Sequence, residues 1–105
     1  MTNSNKANTA ILEAGLLCKY TNRKSFYDKA KVYLMSDGAL VLKSYDTIVA
    51  VYRNHSLKVR DYYSVTTSNH IREFARQVLG NRFTEDVLKT YTDDDPVFQY
   101  GVFLD

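Results

Sequence analysis

The densest group of side chains that could do chemistry lies near the middle of the chain. It consists of Thr66, Thr67, Ser68, Asn69 and His70. An imidazole beside several hydroxyls marks a candidate active site, but the same residue types also cap and begin helices. We therefore expect Thr66 and Thr67 to be cap and turn residues. We expect His70 to satisfy backbone or hydroxyl groups in the first helical turn, with direct contact to a ligand or partner as the alternative.

Motifs of known catalytic sites are absent from the sequence. There is no glycine-rich phosphate loop, dinucleotide fingerprint or nucleophile elbow. Neighbouring carboxylates occur only in acidic runs that should be solvated rather than held in a pocket. We expect a protein that is not an enzyme and that needs no cofactor.

The candidate metal ligands are few and scattered. They are His55, His70 and Cys18, joined in principle by an aspartate. The single cysteine excludes an internal disulfide and a zinc-ribbon spacing, and it suits a reducing cytoplasm. One zinc site built from these residues is left open as an alternative.

An amphipathic helix is predicted over about residues 68–79. Its apolar side chains recur at the i, i+3, i+4, i+7 spacing that gives a helix one buried face. They are Ile71, Phe74, Ala75, Val78 and Leu79. Thr67 or Ser68 can cap the start, and Gly80 is placed to end the helix.

The elements that must receive this helix lie before it. Four strand-like segments with short connections predict an antiparallel meander over about residues 30–62, and thus an α+β fold. The segments are 30–36, 39–45, 47–53 and 56–62, with Asp37-Gly38 predicted as a type I′ turn. Alternation along the strands predicts one face against a core and one face partly in water.

The ends of the chain are less regular. Residues 1–8 are predicted to be a frayed tail, and residues 9–17 a short helix, with a strand as the alternative. A second short helix is predicted over 85–91. Residues 97–104 form either an added edge strand or a packed tail, and the sequence does not decide between them.

Length and charge indicate one domain with an acidic extension. The 105 residues fit a single domain, and no apolar run is long enough for a membrane helix or a signal peptide, so we expect a soluble cytoplasmic protein. Residues 19–80 hold 11 Lys/Arg against 5 Asp/Glu. Residues 81–105 hold 2 against 6, which makes this segment an acidic C-terminal extension.

Basic and aromatic residues alternate on the face of the sheet that is predicted to be wet. They are Lys31, Tyr33, Lys58, Arg60 and Tyr62, and Arg72 and Arg76 lie on the polar face of the helix. Stacking on aromatic rings combined with cations on phosphates is how sheet surfaces hold single-stranded nucleic acid. A wet sheet face of any protein also favours these residue types.

Four segments together resemble a known family. They are 23–32 (RKSFYDKAKV), 42–50 (LKSYDTIVA), 63–70 (YSVTTSNH) and 71–77 (IREFARQ). They resemble a small uncharacterised domain widespread in Gram-positive bacteria, their phages and plasmids. The chain departs from that pattern at Asp28, where glycine is common, and at Asn69, where a basic residue is common. The resemblance implies a compact mobile-element protein with no established catalytic activity.

The leading hypothesis is a non-enzymatic phage or mobile-element accessory protein that binds a host protein. Inhibitors of host defence, including anti-CRISPR proteins, are prominent among such proteins, so the expected partner is a CRISPR effector nuclease. Candidate contact residues are His70, Arg72, Arg76, Lys58, Arg60, Tyr62, Glu85, Asp86, Asp93, Asp94 and Asp95. The acidic ones could compete for a nucleic-acid channel. The alternative is a small nucleic-acid-binding protein, and the oligomeric state is left open.

Overall fold

In the part of the chain that the structure describes, the sheet of this α+β fold has six strands. The structure is a computed structural model that describes residues 9–61 and 64–104. The strands are β1 (Thr9–Gly15), β2 (Ala30–Met35), β3 (Leu40–Ser44), β4 (Thr47–Arg53), β5 (Ser56–Val59) and β6 (Phe103–Leu104), in the order β5-β4-β3-β2-β1-β6. Neighbours are antiparallel except β1 and β6. The predicted meander is β2 to β5, and the predicted total of four strands is wrong.

The extra strands come from the two ends of the chain. Residues 9–15 were predicted as part of a short helix, with a strand as the alternative, and the strand is confirmed. They pair with β2, from Leu12 opposite Leu34 to Gly15 opposite Lys31. Pairing along the whole segment outweighs a weak local helix preference, which Gly15 lowers further. At the other end, Phe103 and Leu104 pair in parallel with the start of β1.

The tight turns differ in type from the prediction at one position. Asn54 and His55 both have positive φ (53° and 65°), as a type I′ turn between β4 and β5 requires. At Asp37-Gly38 only the glycine has positive φ (91°). The Met35 N–H donates to the Ala39 carbonyl at 2.8 Å, so the hairpin has a three-residue loop and the predicted type I′ turn is wrong.

Helix α1 (Val65–Leu79) packs on one face of the sheet. It begins three residues before the predicted start, because Ser64 is the N-cap and accepts a hydrogen bond from the Thr67 N–H at 3.0 Å. Gly80 follows it at φ 57°, the positive φ that a helix end favours. The predicted apolar stripe faces this core through Ile71, Phe74 and Ala75, with Val78 and Leu79 at its margin.

The other face of the sheet carries a second core. The chain passes through two 3-10 segments, Gly80–Arg82 and Glu85–Lys89, before helix α2 (Pro96–Tyr100). Val97 and Phe98 of α2 are buried against this face together with Tyr33, Met35, Ala39, Val41, Val51 and Ala10. A partly wet face is therefore wrong where α2 lies, because the residues after the acidic run fold back onto the sheet. The predicted helix over 85–91 is the shorter 3-10 segment.

A membrane-spanning helix does not occur in the part of the chain that the structure describes, since none of its helices is both long and apolar enough.

Candidate functional site

A cleft of about 570 Å³ opens where the β3–β4 turn meets the start of α1. Its volume lies in the range of ligand and side-chain binding clefts. The walls combine aromatic rings with charges of both signs. They include Tyr45, Tyr91, Arg60, Asp61, Asp93 and Ser44.

Two backbone irregularities shape the near wall. Tyr45 has φ 53°, and its N–H donates to the Lys29 carbonyl at 2.7 Å. A bulge at Val49 follows, because Leu42 pairs with Ala50 while the next residue of β3 pairs with Ile48. Left-handed aromatic residues are uncommon, and bulges concentrate next to functional sites. Both irregularities lie at the cleft, and Tyr45 remains 49% exposed.

The far wall is held by the segment after β5. Tyr91 forms a parallel bridge with Val59, and the Thr92 N–H donates to the Val59 carbonyl at 2.8 Å. The acidic run thus begins at the cleft, and Asp93 lines it. Residues 62 and 63 lie outside the described residues, so the predicted contact residue Tyr62 has no position here.

Beneath the cleft lies a buried polar cluster. Ser44 Oγ is 2.8 Å from His70 Nδ1 and 3.0 Å from Thr67 Oγ1. His70 is only 1% exposed, and its ring meets Phe26 edge-on at 4.6 Å. His70 binds a hydroxyl as predicted, but the hydroxyl belongs to Ser44 of β3 rather than to the first helical turn. Its burial makes the prediction of a contact residue wrong.

A serine–histidine contact could be the nucleophile–base pair of a hydrolase, so its surroundings matter. A triad also needs a carboxylate that stabilises the protonated imidazole. Among the described residues no carboxylate forms an ion pair with His70. Burial lowers the pKa of His70, and so do the positive charges of Arg23 and Lys29. The cluster therefore favours a neutral, structural imidazole.

This lowered pKa predicts a pH-dependent stability. The unfolded chain takes up a proton on His70 near pH 6.5, whereas the folded chain does so only at lower pH. The contribution of the neutral His70 to the free energy of unfolding is therefore complete above pH 6.5 and declines as the pH falls below it. Urea unfolding between pH 8 and about 5.5 measures the decline.

His70→Gln, with His55→Asn as its control, tests whether His70 causes this decline in stability. His70→Gln should weaken the fold at pH 8 and flatten the dependence between pH 7 and about 5.5. His55 is exposed in a positive-φ turn that asparagine tolerates, so His55→Asn should keep the wild-type profile. An unchanged profile in His70→Gln would contradict the assignment.

The predicted helix cations are engaged by the acidic segment. Arg72 donates to both carboxylate oxygens of Glu85 at 3.2 and 3.3 Å, and Arg76 lies 3.8 Å from the same group. The hydrogen bonds from Arg72 lower the pKa of Glu85. Arg76 also lies over the Phe83 ring at 4.6 Å. These contacts join α1 to the start of the predicted extension.

The three consecutive aspartates have three different environments. Asp93 lines the cleft, and Asp94 is exposed and pairs with Lys58 at 2.9 Å. Asp95 is 3% exposed and accepts from Arg53 and from the Val97 N–H. Asp86 is exposed. Several of the predicted acidic contact groups are thus bound by the basic body of the same chain.

The predicted basic face is partly occupied. Tyr33 is 3% exposed, and its hydroxyl donates to Glu13 at 2.6 Å. Burial and that hydrogen bond raise the pKa of Tyr33 to about 12. Arg60 donates to the Phe98 carbonyl at 3.2 Å. Lys31 shares this face but lies opposite Lys43 of β3.

Glu73 is a residue that the sequence analysis missed. It is 2% exposed, and its carboxylate accepts the backbone N–H groups of Lys19, Tyr20 and Thr21 at 3.0 to 3.2 Å. Gln77 adds a donor at 2.6 Å. This contact fixes the connector between β1 and β2 onto α1. A charge on the border of an apolar stripe was the only signal in the sequence.

The candidate zinc ligands are dispersed. His55 lies in the β4–β5 turn, His70 in the core, and Cys18 is half-buried in the connector after β1. Residues 9–61 and 64–104 contain no group of three His, Cys, Asp or Glu side chains that could hold a metal ion.

Comparison with known proteins identifies a family but no activity. No curated protein matches the chain. No solved structure matches it either. The model of a family of unknown function, DUF8033, matches residues 15–93, which run from the end of β1 to the far wall of the cleft. The chain is therefore a member of the DUF8033 family of unknown function.

Proposed function

We propose that this domain is a non-enzymatic accessory protein of a phage or mobile element of Gram-positive bacteria, acting by binding a host protein in the host cytoplasm. The observation that carries the proposal is the cleft between the β3–β4 turn and the segment after β5. Tyr45 and Tyr91 lie on its two walls and are 49% and 47% exposed. Arg60 also lines the cleft. Tyrosine and arginine, together with tryptophan, are enriched among the residues that anchor protein interfaces.

The backbone conformation of Tyr45 also favours the cleft as the binding surface. A tyrosine with positive φ costs on the order of 1 kcal/mol, and such residues persist where the surrounding structure holds them. The β-bulge and the hydrogen bond to Lys29 hold this one. A rigid aromatic anchor loses little conformational entropy on binding, which favours affinity.

The partner that we propose is a CRISPR effector nuclease. Contact through the cleft fits the structure better than mimicry of nucleic acid by the acidic segment, because Glu85, Asp94 and Asp95 already pair within the chain. Asp93 remains at the rim of the cleft and could steer a basic partner surface.

Co-purification with a panel of purified CRISPR effector nucleases, followed by DNA cleavage assays, tests this function. We expect stable capture and inhibition of at least one nuclease. Neutralising Glu85 and Asp86 together should leave inhibition within about twofold, since neither residue lines the cleft. Failure to bind or inhibit across a broad panel would sink the proposal.

Nucleic-acid binding is the second candidate, favoured by a group of unpaired cations. Six cations of the segment 19–43 make no ion pair with a described carboxylate. They are Lys19, Arg23, Lys24, Lys29, Lys31 and Lys43. Titration of labelled single- and double-stranded DNA should then show affinity that falls steeply with salt. No binding at low salt would remove this candidate.

Lys43→Glu is expected to stabilise the fold. Lys31 and Lys43 are cross-strand partners, and like charges directly opposite are unfavourable. An opposite-charge pair should raise the free energy of unfolding by about 0.5 kcal/mol, as measured by urea denaturation. Lys24→Glu makes the same charge change in the exposed connector and should have little effect. Equal effects of the two substitutions would refute this explanation. If the second candidate holds, both should weaken DNA binding.

A further inference from the structure

Exposed aliphatic and phenylalanine side chains gather at one edge of the sheet. Ile11, Leu12, Leu17, Phe103 and Leu104 are each 55–65% exposed. In residues 9–61 and 64–104 they are the large apolar side chains with this exposure, apart from Val65 and tyrosines. All five lie in or beside β1 and β6. A clustered apolar edge of this kind marks an interaction site.

The backbone of β1 presents unpaired groups at the same edge. Leu16 donates its N–H to the Ala30 carbonyl, which places its backbone toward β2. Since antiparallel pairing alternates, the backbone groups of Glu13 and Gly15 point away from β2. β6 pairs only with Thr9 and Ala10. No described strand covers the outer side of Ile11 to Gly15.

We propose that this edge binds the same edge of a second copy of the chain, joining two sheets through antiparallel β1 strands. In one register the outward groups of Glu13 and Gly15 are both paired. Glu13 pairs with the second copy's Gly15, and Gly15 with its Glu13, so each pair exchanges two hydrogen bonds. The two-fold axis then passes between the two copies of Ala14.

The side chains suit this register. Ala14 is exposed and small, as a residue that meets its own copy across an axis should be. Glu13 faces a glycine rather than another carboxylate, which avoids the like-charge contact of a register centred on Glu13. Ile11 and Leu17 lie on either side of the paired residues in each copy, and Phe103 and Leu104 lie beyond Ile11. The interface is isologous, the commonest arrangement of soluble homodimers.

Charge pairs at the axis test this arrangement. Sedimentation equilibrium of the wild type should show a dimer of the 12.1 kDa chain. Ala14→Lys and Ala14→Glu should each be monomeric, because every charge meets its own copy. Mixing the two variants should restore a dimer with one copy of each. Ala14 is exposed, so circular dichroism should be unchanged in both variants.

Disulfide trapping tests the register, with Cys18→Ser as background. Ala14→Cys should cross-link fully on mild oxidation, because non-hydrogen-bonded partners lie about 4.5 Å apart at Cα. Leu12→Cys is the matched control. Its two copies would be four residues out of register, roughly 13 Å apart, and should not cross-link.

Three results would overturn the proposal. One is a wild type that stays monomeric at every concentration. If the amides of Glu13 and Gly15 then exchange slowly, another segment of the same chain covers this edge. Another is a dimer that the Ala14 variants leave intact, which would use a different surface. The third is efficient cross-linking through Leu12→Cys. The cleft is lined from β3, β4 and the segment after β5, so none of these results bears on the proposed function.

Discussion

Asp95→Ala is expected to lower the free energy of unfolding by about 3 kcal/mol, the largest loss for any single acidic residue of the C-terminal segment. Asp95 accepts two hydrogen bonds from Arg53, at 2.9 and 3.3 Å, and caps α2 through the Val97 N–H. Its removal leaves a half-buried guanidinium without its main partner and α2 without its cap. Thermal unfolding should show a fall in Tm of about 15 °C.

Two variants divide that loss into its causes. Asp95→Asn keeps an oxygen that can cap α2 but loses the charge facing Arg53, so it should lose about half as much stability. Asp94→Ala removes the neighbouring carboxylate, which is exposed and pairs with Lys58 at the surface, and should have little effect. Equal losses of stability in Asp94→Ala and Asp95→Ala would show that Asp95 is as solvated as its neighbour and does not hold Arg53 and α2.

Glu73→Ala is expected to cost about 3 kcal/mol. Three consecutive backbone N–H groups converge on the Glu73 carboxylate, a local concave anion site built from the main chain. Removing the carboxylate leaves part-buried donors without an acceptor, and each such donor costs about 1–3 kcal/mol unless water reaches it. Urea denaturation should show the loss.

Local exchange separates this role from general destabilisation. Amide hydrogen exchange at Lys19, Tyr20 and Thr21 should become fast in Glu73→Ala, while the amides of β3 and β4 keep their relative order. Glu85→Gln is the control, because Glu85 is an exposed partner of Arg72 and Arg76. Unchanged exchange at residues 19–21 would show that Glu73 does not hold this connector.

The elements that sequence predicted well are governed by local pattern. The i, i+3, i+7 spacing of Ile71, Phe74 and Val78 fixes which face of α1 is apolar, and that pattern needs no knowledge of the partner. Short polar turns similarly place β2 to β5 next to each other. The start of α1 was predicted three residues too late because Ser64, Thr67 and Ser68 can all cap a helix, and sequence alone does not rank them.

The features that sequence missed depend on contacts between distant residues. Asp95 looks like its neighbours Asp93 and Asp94, and only the return of α2 to the second sheet face buries it against Arg53. The burial of His70 depends on contact with Ser44, which lies 26 residues earlier in the chain and bonds its Nδ1. β1 was ambiguous because its strand character comes from pairing with β2.

The separation of basic and acidic residues along the sequence reflects contacts within the fold. The basic body and acidic segment, separated in sequence, meet in space through Arg53, Lys58, Arg72 and Arg76. Glu85, Asp94 and Asp95 therefore attach the C-terminal segment to the rest of the chain. At Asp28 φ is 67°, a backbone region in which glycine carries no steric cost.

We propose that the cleft at the β3–β4 turn carries the contact with the host protein. Nuclease binding and inhibition by Tyr45→Asn, compared with Tyr27→Asn, give the sharpest test. Both tyrosines are exposed at positive φ, which asparagine tolerates, but only Tyr45 lines the cleft. We expect Tyr45→Asn to weaken inhibition by about tenfold or more and Tyr27→Asn to inhibit like the wild type. Equal inhibition by the two variants would show that the cleft is not the contact surface.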